Sequence, residues 1–183
     1  MGSLAVRPDS PTFWKEVAAT PGGEEIAICV QCNTCTSSCP VEVLEPDFNI
    51  RQLVARVKLG LREDVLDDPL LWACVRCHAC VAHCPKHVNP GEIVEALRYI
   101  ALREGKEGPG PRHAKAFAKS VLQNGRIHEA GVTIDSIGWR GMAAQGVLAV
   151  QMLRRGKAPS LRPHPLKSIR EVQALIAAAG EME

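Results

Sequence analysis

Aromatic residues are scarce in this chain: three Trp, three Phe and one Tyr in 183 residues, 4% of the total against 46% hydrophobic. The core is therefore left to Leu, Val, Ile and Ala, a composition that favours helices. Long apolar runs are missing as well. The most apolar stretch, "GMAAQGVLAVQML", has 13 residues and contains Gln145 and Gln151, whereas a bilayer span needs about 20 apolar residues; a packing helix is expected there. The amino terminus, "MGSLAVRPDSPTFWKEV", has no basic flank leading into an apolar run, so export is not expected and a cytoplasmic location is. No five Lys or Arg stand in a row, and few aromatics are available for base stacking, which argues against nucleic acid as a partner. Neither a "GxGxxG" after a strand nor a "GxxxxGK[ST]" run occurs, and "GWRGMAAQG" has the wrong pattern for a phosphate loop. An independent nucleotide- or flavin-dependent enzyme is thereby disfavoured, and no catalytic residue is assigned.

Cysteine is also missing from most of the chain, and its concentration elsewhere is the main signal. All eight cysteines lie in "CVQCNTCTSSCP" and "CVRCHACVAHCP". Cys29, Cys32, Cys35 and Cys39 precede Pro40; Cys74, Cys77, Cys80 and Cys84 precede Pro85, each 45 residues further on. Four disulfides would fit an oxidising compartment but do not require this periodicity. Structural zinc sites usually pair cysteines across a longer loop rather than setting three at one short interval. Three thiolates spaced this way can curl around one cluster, while the fourth, before proline, faces elsewhere. The run is that of bacterial two-cluster ferredoxins, in which the last cysteine ligates the other cluster. It implies two [4Fe–4S] clusters, one on Cys29, Cys32, Cys35 and Cys84, the other on Cys74, Cys77, Cys80 and Cys39.

The neighbouring residues are expected to support the ligands rather than replace them. Thr34, Ser37, Ser38 and Ala79 are small or polar and allow the backbone close to inorganic sulfur, where amide hydrogens help set the potential. Pro40 and Pro85 turn the chain away from the site. With both cysteine sets complete, His78, His83 and His87 have no ligand position to fill. Arg76 and Lys86 favour a reduced cluster if their side chains face it. Each oxidised cluster with four thiolates adds about −2, so two move the formal charge of +2 to roughly −2.

Helical signals follow both runs. "DFNIRQLVARVKLG" sets Ile50, Leu53, Val54 and Val57 at helical spacing over residues 48–59, with Gly60 as a stop. "NPGEIVEALRYIALREG" offers Asn89 as a cap, Pro90 at the first helical position and Glu92 three residues after the cap. A short helix is expected near Pro11–Ala19, and further helices near 112–124, 141–154 and 166–179. The division is an extension at 1–25, a cluster domain at 26–104 and a helical extension at 105–183. Charge divides similarly: residues 1–102 hold 9 Lys or Arg against 13 Asp or Glu, residues 103–183 hold 13 against 7. The basic part suits an acidic partner surface.

The 34 residues between Cys39 and Cys74, with their helix, resemble the alpha-helical ferredoxin fold rather than the small antiparallel ferredoxins. Over residues 26–104 the two cysteine runs, "VKLGLREDVLDDPLLWAC" and "VNPGEIVEAL" resemble the C subunit of heterodisulfide reductase and its relatives in sulfur-oxidising bacteria. That resemblance implies a mainly α protein that relays electrons between a flavin- and iron–sulfur-containing A subunit and a cysteine-rich B subunit where the disulfide or sulfur chemistry occurs. It further implies residues 105–183 as a subunit interface, a homodimeric assembly of the whole complex, and contact with the inner membrane only through partners. An alternative is the iron–sulfur subunit of a succinate, fumarate or glycolate type respiratory oxidoreductase; succinate and fumarate subunits carry further amino-terminal cysteines, and residues 1–28 have none. A redox-silent structural cluster module is the second alternative, against which two neighbouring clusters argue.

Overall fold

Asparagine opens the two helices that follow the cysteine runs, and glycine closes both. In the computed structural model, which describes residues 8–157, 160 and 162–180, the chain divides into two compact units, Met1–Lys106 and Glu107–Glu183. All regular structure among the described residues is helical.

The first unit begins with α1 (Phe13–Ala18) and a 3-10 turn at Glu24–Ile28. The first cysteine run forms α2 (Thr34–Ser37) and leads into α3 (Pro40–Leu44), α4 (Ile50–Lys58) and α5 (Arg62–Leu66). A second 3-10 turn, Pro69–Trp72, precedes the second run, which forms α6 (Ala79–Ala82) and feeds α7 (Pro90–Arg103). The expected cap at Asn89 is present, and Asn49 forms an equivalent one that was not expected. Asn49 accepts from the Gln52 amide at 2.9 Å and Asn89 from the Glu92 amide at 3.2 Å, each satisfying a first-turn donor that has no intrahelical partner. At the other end, Gly60 and Gly105 adopt φ of +76° and +73°, a region costly to residues with a Cβ. Their amides, and those of Leu61 and Lys106, return to the last-turn carbonyls of Val57, Leu102, Arg56 and Ala101, the Schellman arrangement.

The duplication thus extends well beyond cysteine. The 3-10 turns, the short helices α2 and α6 and the left-handed non-glycine residues Gln31 and Asn33, matched by Arg76 and His78, all recur at an interval of 45. From the caps onward the interval is 40, because α3 adds five residues to the first copy only. Leu53, Val54 and Val57 then match Ile93, Val94 and Leu97, all buried. These six side chains meet in one core with Phe13, Val17, Ile26, Phe48, Ile50, Val65, Leu66 and Leu71. Residues 13–17, part of the segment set apart as an extension, therefore contribute Phe13 and Val17 to this core.

Asn49 also ties the first run to α4. Its Oδ1 accepts from the buried Thr36 hydroxyl at 3.1 Å, and Thr36 Oγ1 accepts from the Arg51 amide at 3.2 Å. Asn49→Ala removes the Asn49 acceptor from both the Gln52 amide and the Thr36 hydroxyl and is expected to destabilise the unit by about 1–2 kcal/mol, read as a lower midpoint in chemical denaturation with an unchanged slope.

The second unit holds α8 (Pro109–Asn124), α9 (Glu129–Ala144), α10 (Gly146–Arg154) and α11 (Ile169–Gly180). α8 and α9 pair through a four-residue connection, and the His113 ring lies 2.9 Å from the Ser136 hydroxyl. The helix expected over 141–154 is instead divided between the end of α9 and α10, and α9 itself goes unanticipated. Gly131, Gly138 and Gly141 dilute its apolar period, and Gly138 (φ +66°) kinks it. No helix among the described residues is long and apolar enough to cross a membrane.

Candidate metal centre

Each run wraps its cysteines by placing two non-glycine residues in the left-handed region, with φ of +60° and +71° at Gln31 and Asn33, and +51° and +61° at Arg76 and His78. Such residues are uncommon outside glycine and cost of order 1–3 kcal/mol each. The same departure at equivalent positions marks it as a property of the motif. It curls the backbone so that successive cysteines face inward.

Two cavities result. One is lined by Cys29, Cys32 and Cys35 of the first run with Cys84 of the second, together with Arg51 and Lys86. The other is lined by Cys74, Cys77 and Cys80 with Cys39 of the first run, together with Arg76, His78 and Gly91. The crossed grouping follows from the prolines: Cys39 and Cys84 stand at the exit of each run, where Pro40 starts α3 and Pro85 opens the turn toward Val88. None of the eight cysteines is joined in a disulfide.

Polar hydrogens converge on these sulfurs. Gln31 Nε2 donates to Cys29 Sγ at 3.4 Å, a contact that leaves Gln31 Oε1 buried without a partner, and Thr34 Oγ1 lies 3.4 Å from Cys32 Sγ. Burial pushes the Cys35 and Cys74 thiols above their ordinary range. It pushes Cys80 up to about 11, opposed by the Gly91 amide and reinforced by the neighbouring Cys74, Cys35 and Cys77. The exposed Cys32 goes the other way, lowered by the Thr34 hydroxyl and amide. Buried thiols of this kind ionise only beside a compensating positive centre, which a metal cluster supplies.

Of the supporting residues expected from the sequence, Thr34 meets the Cys32 sulfur, whereas Ser37 and Ser38 turn their hydroxyls to backbone carbonyls of Thr34 and Cys35 at 3.1 and 3.3 Å. His83 and His87 are exposed. Sequence reasoning missed Arg51, Lys58 and Arg98. Lys58 Nζ donates to the carbonyls of Ala27 and Cys29 at 3.2 and 3.0 Å. Arg98, from α7, donates to the carbonyls of Leu71 and Cys74 at 3.0 and 2.8 Å and lies over the Trp72 ring. Lys58 and Arg98 are both the ninth residue after a capping asparagine, and that shared register was the available signal.

Among the described residues no three Cys, His, Asp or Glu side chains gather tightly enough to hold a single metal ion. A tetrahedral zinc site with bonds of about 2.3 Å needs its sulfurs roughly 3.8 Å apart. Thiolates bound to the outer corners of a cluster stand further apart. Four soft thiolates per cavity, with donors aimed at the sulfurs, fit an iron–sulfur group in chemistry and number.

Comparison with known proteins places the chain in a class first. Residues 28–88, within the helical first unit, match the family model of the 4Fe-4S dicluster domain. The chain's relatives are more particular. It is 29% identical over 167 residues to the C subunit of the H2:CoB–CoM heterodisulfide,ferredoxin reductase of Methanothermobacter thermautotrophicus, covering 91% of this chain and 82% of that one. It is 34% identical over 115 residues, 61% of each chain, to a protein of Archaeoglobus profundus that is itself named for its likeness to the heterodisulfide reductase C subunit. Against the C subunit of the ferredoxin:CoB–CoM heterodisulfide reductase of Methanosarcina acetivorans it is 36% identical over 123 residues, 67% of this chain and 49% of the relative. The chain is thus similar, over most of its length, to iron–sulfur C subunits of heterodisulfide reductases.

Proposed function

We propose that this chain is a non-catalytic electron-transfer subunit holding two [4Fe–4S] clusters in an alpha-helical ferredoxin fold. One set of ligands is Cys29, Cys32, Cys35 and Cys84, the other Cys74, Cys77, Cys80 and Cys39. The observation that carries the reading is the crossed lining of the two cavities, each with three cysteines of one run and the last cysteine of the other. When bound, such clusters take up and release single electrons. The chain's own residues do the remaining work. The crossed cysteines fix the two sites to each other, the left-handed residues aim the thiols, and the apolar core keeps both runs in register. A structural clamp needs only one such site, whereas two at a fixed separation suit a relay.

In this reading the chain carries electrons between a flavin- and iron–sulfur-containing A subunit and a cysteine-rich B subunit of a heterodisulfide reductase-like complex acting on disulfide or sulfur substrates. All eight cysteines are committed to the two cavities, so disulfide chemistry belongs to the partner. Residues 26–104 act as the cluster module and 105–183 as the interface. The test is an anaerobic iron and acid-labile sulfide count, followed by electron paramagnetic resonance during a stepwise reductive titration. About eight irons and eight sulfides per chain, with magnetic interaction when both sites are reduced, is the expected result. About four irons after full reconstitution, or bound zinc with no reducible signal, overturns it.

A further inference from the structure

We propose that the chain holds its two sites at unequal reduction potential, the site of Cys29, Cys32, Cys35 and Cys84 being the higher, because the charges around the two copies of the motif are unmatched. The inference rests on the two-cluster reading above.

Around the first cavity stand three cations. Arg51 and Lys86 line it, and Lys58 holds the carbonyl of Cys29 at 3.0 Å. Arg51 Nε donates to the neutral Asn33 Oδ1 at 3.0 Å. Among the described residues, none of the three forms an ion pair with a carboxylate. Around the second cavity stand two cations, each matched by an acid. Arg76 pairs with Glu92 at 2.7 Å and lies 3.9 Å from Glu95. Arg98, which holds the carbonyl of Cys74, pairs with Glu95 at 2.7 Å.

The repeat shows where the asymmetry arises. Lys58 and Arg98 are equivalent and make equivalent carbonyl contacts. Counting from the capping asparagines, the counterpart of Glu92 is Gln52 and that of Glu95 is Ala55. The two carboxylates that cancel the second site's cations have no equal in the first copy. Reduction adds one negative charge to a site, so uncancelled cations nearby favour it and neutral ion pairs do so far less. Burial acts in the same direction, since Cys80 of the second site is the one cysteine among the eight that is buried outright and low-polarity surroundings resist added charge. A single electron on the chain therefore rests at the first site.

The test is a potentiometric titration at low ionic strength, followed by electron paramagnetic resonance, on the full chain carrying both clusters. Iron and sulfide are counted beforehand, so that absence of two clusters brings down the underlying reading and is distinguishable from failure of the charge argument. Cys32→Ser and Cys77→Ser assign the signals, each altering the one from its own cavity. The signal altered by Cys32→Ser is expected to appear at the higher potential. Lys58→Gln with Lys86→Gln is expected to weaken reduction of that site about tenfold, a shift of about 59 mV for one electron, with Lys58→Arg leaving it in place. Should the lysine changes disturb assembly, Gln52→Glu with Ala55→Glu puts the missing acids into the first copy and is expected to lower the same site while sparing the other. The reverse order of potentials overturns the proposal. So does an unmoved first-site potential in either double variant with both clusters intact.

Discussion

The double variant Cys32→Ala/Cys84→Ala is expected to lose one cluster and keep the other whole, although its two changes lie in different cysteine runs. Both residues line the first cavity, so the second keeps Cys39, Cys74, Cys77 and Cys80. About four irons and four sulfides should remain, with one reducible signal free of magnetic interaction. Cys77→Ala/Cys84→Ala removes the same number of thiols, both from the second run, yet takes one ligand from each cavity and should leave no intact four-cysteine site. Ligation within each run would give the opposite pair of outcomes: the first variant would damage both sites and the second would spare one. Cys32 and Cys77 are exposed, so replacing either leaves no core cavity to confuse loss of a ligand with loss of the fold. The contrast is all-or-none at each site, and iron analysis with reduced-state spectra reads it directly.

The grouping of three cysteines of one run around each cavity was legible because cysteine spacing reports local curvature, and thiols at one short interval curl together. The helices α4 and α7 were legible for a similarly local reason: an apolar period ending at Gly60 in the first, and the Asn89 cap ahead of an apolar period in the second. The charges around the sites were another matter. Lys58 and Arg98 act on carbonyls 29 and 24 residues away in the chain, and nothing local distinguishes a lysine that reaches a carbonyl from one in solvent. Arg76 was noticed beside its cysteines, but its guanidinium turns to Glu92, a partner that only folding brings near. In the second unit the glycines of α9 suppressed the apolar period, so a helix that pairs along α8 looked like a connection. Local chemistry was readable where consecutive residues act together, and obscure where a single side chain acts across the fold.

Phe13→Ala is expected to cost about 3–5 kcal/mol, a large fraction of the 5–15 kcal/mol that holds a typical domain together. The residue lies in the segment expected from the sequence to be an extension ahead of the cysteine runs, yet its ring is fully buried beneath the guanidinium of Arg62, 5.6 Å from the ring centre. The surrounding contacts fix it there. Asp9 accepts from the amides of Arg62 and Glu63 at 2.7 and 2.8 Å, opening α5 from outside the helix. The Ser10 amide donates to the Gly60 carbonyl at 3.0 Å, and a Cβ on Gly60 would lie 2.5 Å from the Ser10 carbonyl oxygen. Arg62 itself joins Glu16 of α1, at 2.9 Å, to Glu104 beyond α7. Removing the ring leaves a cavity where α1 meets α4 and α7, the two helices that follow the cysteine runs, so cluster retention should fall along with stability. Phe13→Leu keeps most of the volume and should cost less than about 1.5 kcal/mol. Chemical denaturation of the cluster-loaded chain, followed by helical circular dichroism and by cluster absorbance, measures both. A loss below about 1 kcal/mol for Phe13→Ala, with unchanged cluster absorbance, would make the segment an appendage; the buried ring and its cross-links predict that both transitions move together.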